Sequence, residues 1–217
     1  MSSWTKRTRM SRFGPEGRPA TAAGIGATDA RIGPNSVLQL AQVLDAHVGQ
    51  AARQALMVEA GLMALPPDSG LMPEGPAARL HQALRLRYPA EAAALLAREA
   101  GGRTGDYILA HRIPLPAQRL LRVLPRFLAT RLLAGAIGKH AWTFAGSGDF
   151  RVARGRPLTF ELYDNPVVRG EHARQPLCHW HAAVFQRLFS TLVSPDIRCV
   201  EVECCAMGSS ACRFTLC

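Results

Sequence analysis

A chain of 217 residues, 48% of them hydrophobic and 19% charged, can close a core without disulfides. Its 19 Gly and 15 Pro are scattered rather than repeated, which excludes a collagen-like or wholly disordered chain. The formal net charge of +10 is concentrated: residues 79 to 156 hold 14 bases against 4 acids, whereas 19 to 78 and 157 to 217 each carry a slight acid excess.

Residues 1 to 30 mix Ser, Thr, Arg, Gly and Pro without period and read as a flexible basic tail before a single domain over 31 to 217. The start, with Lys6, Arg7, Arg9 and Arg12, runs into Phe13-Gly14-Pro15 rather than an apolar stretch. No apolar run reaches membrane-spanning length, so neither a secretory leader nor a span is expected, and the expected location is cytoplasmic. Pro34-Asn35-Ser36 opens a helix whose apolar positions Val37, Leu40, Val43, Leu44, Val48, Ala51, Ala55 and Val58 keep helical spacing to Gly61. That apolar face is wide enough for a homodimer contact. A loop at Pro66-Pro67-Asp68-Ser69-Gly70 precedes a second helix over 74 to 87. Pro89 starts a third, to about Ala110, with Gly101, Gly102 and Gly105 weakening its middle.

Pro114 and Pro116 introduce a basic, Leu-rich segment to Lys139, split by Pro125. Its arginines, Arg119, Arg122, Arg126 and Arg131, stand singly among few aromatics. That spacing suits a solvated face, an anionic lipid surface at the inner membrane or an anionic small molecule, rather than nucleic acid. After His140 the period changes. Ala141 to Phe144 leads to a Gly146-Ser147-Gly148-Asp149 turn, and Phe150 to Ala153 and Leu158 to Tyr163 alternate as strands do. Asp164-Asn165-Pro166 is a turn, 178 to 192 a helix, and 198 to 204 and 212 to 216 a closing pair of strands. Helices first, then a mostly antiparallel sheet with one further helix, is an α+β order.

All six cysteines fall in the last 40 residues: Cys178, Cys199, Cys204, Cys205, Cys212 and Cys217. Without a leader, a disulfide framework is disfavoured. Glu201 and Cys204 end one strand, Cys212 returns across a turn containing Gly208, and Cys178 heads the preceding helix. Four ligand-type side chains can therefore converge, and thiolates with one carboxylate suit a closed, tetrahedral zinc site. Buried free thiols are the competing reading. Alternation alone leaves Glu203 open in place of Glu201, and Cys205 in place of Cys204.

The run from Cys178 to Phe214, with Glu201-x-x-Cys204-x-Ala206-x-Gly208-x-x-x-Cys212-x-Phe214, resembles the signature of the 4-vinyl reductase domain family. The likeness extends back to Ile32-Gly33-Pro34-Asn35-Ser36. It implies a fold similar to Golgi transport-complex subunits and to haem nitric-oxide sensors. It also implies that Cys178, Glu201, Cys204 and Cys212 hold zinc. Phe144-Ala145-Gly146-Ser147-Gly148 and Cys178-His179-Trp180-His181 look closest to the family's bacteriochlorophyll-biosynthesis branch. That implies binding of a tetrapyrrole such as divinyl protochlorophyllide, as carrier or assembly factor beside other pigment-biosynthesis enzymes. Reduction of its vinyl group and a homodimeric interaction module are the alternatives.

For the reductase, Gly24-x-Gly26 and Gly146-x-Gly148 both lack the third glycine of a dinucleotide loop, and the cysteines do not have ferredoxin spacing. For binding, His140, Trp142 and Phe144 sit together after the basic segment, and Arg126 could pair a propionate. The bland readings are a helix-end histidine and core aromatics.

Overall fold

The computed structural model describes residues 30 to 153 and 155 to 217, so the basic tail expected at the N-terminus lies almost wholly outside the described residues. A short bridge pairs β1 (Arg31–Ile32) with β2 (Met72–Pro73), and the helices α1 (Asn35–His47), α2 (Gln50–Glu59), α3 (Glu74–Arg87) and α4 (Ala90–His111) make up the first half. The helix expected from 37 to 60 is two. The apolar period runs through the break, but Gly49 takes φ +87°, a left-handed conformation that a helix interior does not admit. The face of α1 that suggested a dimer contact is occupied within the chain: Val37, Leu40, Val43 and Leu44 are fully buried, and α1 packs on α4.

As the prolines indicated, the basic segment divides into α5 (Leu115–Val123) and α6 (Arg126–Lys139), each entered through an extended proline. Ala141–Thr143 is a single 3-10 turn rather than the start of a strand. The sheet contains β3 (Asp149–Ala153), β4 (Leu158–Tyr163), β5 (Cys199–Glu203) and β6 (Ala211–Leu216) in the order β3-β4-β6-β5, antiparallel throughout. The remaining helix, α7 (His179–Leu192), lies between the sheet and the first helices. Its Phe185 meets Phe160 of β4 at 4.8 Å and Phe214 of β6 at 5.4 Å between ring centroids, edge to face. On its other side, Trp180 Nε1 donates to Thr104 Oγ1 of α4 at 3.2 Å. One apolar cluster thus runs from Ile32 to Leu216. Among the described residues no helix is long and apolar enough to cross a membrane.

Two glycine features have packing rather than phosphate-binding roles. Gly146, at φ +58°, wraps the turn around the buried Glu74 carboxylate, which accepts from Ser147 N at 2.6 Å and Ser147 Oγ at 2.7 Å. A Cβ there would collide with Glu74. Gly24-x-Gly26 lies outside the described residues.

The buried polar groups of the helical half also set an acid limit. His81 is enclosed, its Nε2 donating to Ser36 O at 3.0 Å, and desolvation, helped by Arg85, lowers its pKa to about 3. The unfolded chain takes up a proton near pH 6.5 that the folded chain refuses, so stability is lost as the pH falls below that value. The loss is about 2 kcal/mol between pH 7 and 5. In His81→Gln, the difference between urea midpoints at pH 7 and pH 5 should shrink by that amount. An unchanged difference would show that His81 does not titrate this way.

Candidate metal centre and adjoining groove

Each ligand-type side chain of the C-terminal half is placed by a local structural reason. Cys178 stands at the N-cap of α7, where the first backbone amides are unsatisfied and negative charge is favoured. The Glu201 carboxylate uses one of these amides, accepting from Cys178 N at 2.7 Å. Cys204 ends the strand before a 3-10 turn, Cys205–Met207, which Gly208 closes in the left-handed conformation. Cys212 sits on β6 opposite Leu162. The four are buried, and their ligand atoms lie within 4.8 Å of one another, an arrangement that could hold a metal ion. Sulfur separations are 3.5 Å for Cys178 to Cys212, 3.9 Å for Cys204 to Cys212 and 4.0 Å for Cys178 to Cys204. These are far longer than a disulfide, and all six cysteines are free thiols.

The surroundings supply donors to sulfur. Asn165 Nδ2 points at Cys178 Sγ at 3.2 Å and Cys212 Sγ at 3.5 Å, while Cys205 N donates to Cys212 Sγ at 3.4 Å. Asn165 is fully buried, and its Oδ1 caps the turn Pro166–Val168 by accepting from Val167 N. Glu201 Oε1 is buried without a partner. Burial pushes the Glu201 carboxyl up to about 8 and the Cys178 thiol well above its usual range. The Cys204 thiol moves the other way, lowered by hydrogen bonds from Cys178 and Cys212. Such a cluster can share one negative charge among its members, and a cation is what would let all of them ionise.

The two ambiguities of sequence separate here. The register of β5 on β6 shifts between Glu201 and Glu203, and Glu203 pairs with Arg213 at the surface while Glu201 faces the thiols. Cys205 points to Leu162 O instead of the cluster. Asn165, which the sequence offered only as a turn residue, is the neighbour that spacing could not find; an Asn before Pro signals an Asx turn and nothing about sulfur.

The four residues expected to contact a ligand do not form one pocket. Arg126 lines a groove of about 930 Å³ between α6 and the β3–β4 hairpin, together with Phe127, Arg131, Val152, Arg156 and Leu158. Phe144 instead belongs to the aromatic core, with centroids 5.0 Å from Phe150 and 5.5 Å from Phe185. His140 is exposed and its Nδ1 donates to Ala136 O at 2.9 Å, and Trp142 is exposed on the 3-10 turn outside the groove lining. His179 and His181 stay outside the metal cluster: His179 lies beside Arg98, and His181 Nε2 donates to Phe144 O.

The fold is shared with a haem-type sensor: a crystal structure of an unliganded Fe(II) H-NOX point mutant from K. algicida superposes with TM-score 0.53 at 10% identity, covering 85% of this chain and 95% of that one. Residues 158–216, which contain all the clustered ligands except Cys178 within a single stretch and Cys178 as well, match the 4-vinyl reductase domain. The chain is therefore an α+β domain of H-NOX-like fold whose C-terminal part is of the 4-vinyl reductase type. It is 58% identical over 186 residues to the bacteriochlorophyll synthase 23 kDa chain of Cereibacter sphaeroides, spanning 86% of this chain and 90% of the relative. It is 53% identical to the protein of the same description in Rhodobacter capsulatus, over 86% of each. The chain belongs to this family of bacteriochlorophyll synthase 23 kDa chains.

Proposed function

We propose that the chain acts in bacteriochlorophyll biosynthesis as a binding protein for a tetrapyrrole intermediate, a carrier or assembly factor beside other pigment-biosynthesis proteins. We further propose that Cys178, Glu201, Cys204 and Cys212 hold a structural zinc ion. The relatives' description supports the pathway. The observation that carries the binding reading is the groove at α6: about 930 Å³, with Phe127, Val152 and Leu158 as an apolar wall and Arg126, Arg131 and Arg156 around it. An amphiphilic ring system with carboxylate substituents needs that combination, an apolar slot for the macrocycle and guanidinium forks for the acids. Zinc is supported by the sulfur spacing. Ligands about 2.3 Å from a tetrahedral centre lie about 3.8 Å apart, and the three observed separations are 3.5, 3.9 and 4.0 Å. The amides directed at sulfur and the unpartnered Glu201 oxygen fit anionic ligands around a cation. With four protein ligands the ion would brace the join of α7 to the β5–β6 hairpin.

Titration with divinyl protochlorophyllide, followed by absorbance and fluorescence, tests the binding reading. Tight binding without spectral conversion is expected, with or without NADPH and reduced ferredoxin. Arg126→Ala combined with Arg156→Ala should weaken binding at least tenfold, because each charge-assisted bond contributes about 1.5–3 kcal/mol. Conversion to the monovinyl spectrum would make the protein a reductase, and no binding would remove the pigment from the proposal.

A further inference from the structure

Between Asp106 and Asp149 the chain has no acidic residue, yet it carries Arg112, Arg119, Arg122, Arg126, Arg131 and Lys139. The fold places five of these bases, from Arg119 on, along α5 and α6, both of which turn an outer face to solvent. On α6 the inward row is Ala129, Leu133, Ala134 and Ile137. Outward rows, one helical turn apart, are Phe127-Arg131-Gly135-Lys139 and Leu128-Leu132-Ala136. On α5, Gln118 and Leu121 face in while Arg119, Leu120, Arg122 and Val123 face out. The apolar members are well exposed: Val123 at 79%, Phe127 at 56%, Leu120 and Leu132 at 53% each.

Among the described residues, Arg119, Arg122, Arg126, Arg131 and Lys139 form no ion pair. Arg53, Arg85, Arg169 and Arg213, by contrast, are each matched by a carboxylate. Unpaired bases set among exposed Leu, Val and Phe on two consecutive helices are the composition of an interfacial segment, apolar groups entering the acyl boundary and cations meeting headgroups.

We propose that the outer face of α5 and α6 docks on the surface of an anionic lipid bilayer. A second copy of the chain is disfavoured as the occupant, because a two-fold contact would bring two sets of like charges together. Nucleic acid is disfavoured because the face has one aromatic side chain for stacking and mostly aliphatic surface. Docking goes beyond the pigment-binding reading and does not depend on it, though the groove beside α6 would then open next to the membrane.

Co-sedimentation of the full chain with vesicles tests it. Binding is expected to vesicles of phosphatidylcholine with 30% phosphatidylglycerol, not to phosphatidylcholine alone, and should fall as salt rises from about 0.05 to 0.5 M. The triple variant Arg119→Glu, Arg122→Glu, Lys139→Glu should bind at least tenfold more weakly, since each base near such a surface strengthens binding about fivefold. Leu120→Ser with Val123→Ser should also weaken it, with the circular dichroism spectrum and melting temperature of the wild type. None of these residues lines the groove. No binding to anionic vesicles overturns the proposal. So does unchanged binding in the triple variant, which would assign the attraction to the basic N-terminal residues. Loss of vesicle binding to competing RNA, or concentration-dependent dimerisation through this face, would replace the bilayer as the occupant.

Discussion

Replacing Cys212 or Cys204 by serine should abolish zinc binding and lower the melting temperature by more than about 6 °C, the equivalent of at least about 3 kcal/mol for a chain of this length. Cys212 is the centre of the cluster: its sulfur lies near both Cys178 and Cys204 and receives Asn165 Nδ2 and Cys205 N. A serine hydroxyl is shorter and harder and does not ionise at neutral pH, so the ion would keep at most three ligands. The apo cluster is left with an unpartnered Glu201 oxygen and a carboxyl and thiol whose charged forms burial opposes. Metal analysis of the purified variants and thermal unfolding with and without a strong chelator provide the readout. The wild type should lose its stability increment to the chelator, and Cys199→Ser and Cys205→Ser should behave as the wild type. One equivalent of zinc retained in both Cys204→Ser and Cys212→Ser would end the metal assignment.

The quartet was readable before the structure because it rests on short-range geometry. A strand ending in Glu201-x-x-Cys204, a glycine turn and a returning Cys212 can form only one kind of hairpin, and a residue capping the next helix is brought to it by packing. The choice of Glu201 over Glu203 was not readable. It depends on a register shift, which side-chain period cannot report. Asn165 was hidden for a different reason: its two roles, capping a 3-10 turn through Oδ1 and donating to sulfur through Nδ2, exist only once β4, α7 and β6 are assembled.

Element boundaries show the same division. Prolines 34, 89, 114 and 125 mark where α1, α4, α5 and α6 begin, because a fixed φ and a missing amide act locally. Gly49 could not be recognised as a break, since the apolar period continues across it into α2. The groove was legible only through Arg126, because its two walls are α6 and a hairpin more than 15 residues further on, brought together by tertiary packing. Phe144 had every qualification for a ligand contact in sequence and is taken by the aromatic core instead.

The glycines that weaken α4 on propensity are required by its packing, and from this follows the second large effect. A Cβ on Gly101 would collide with Trp180 O and come within 2.7 Å of Ala183 Cβ, and one on Gly105 would come within 2.6 Å of Arg187 Cβ. Carbon atoms in contact sit about 3.5–4.0 Å apart, so α4 and α7 approach closely because these positions have no side chain. Gly101→Ala therefore sets two terms against each other, a helix-propensity gain of about 1 kcal/mol and an overpacking cost of about 1–3 kcal/mol or more. Overpacking wins, because the atom struck first is backbone of a helix whose opposite face is fixed by Phe185 and Phe189 on the sheet. We expect a net loss of about 2 kcal/mol for Gly101→Ala and more for Gly101→Val, measured by urea unfolding. Gly135→Ala is the counter-test: nothing lies within 4 Å of that Cβ, and it should stabilise α6 by up to about 1 kcal/mol. Because α7 begins at Cys178, a shift of α7 away from α4 should also weaken zinc retention in Gly101→Val. A Gly101→Val protein with wild-type stability would mean that the two helices are not in the close contact described.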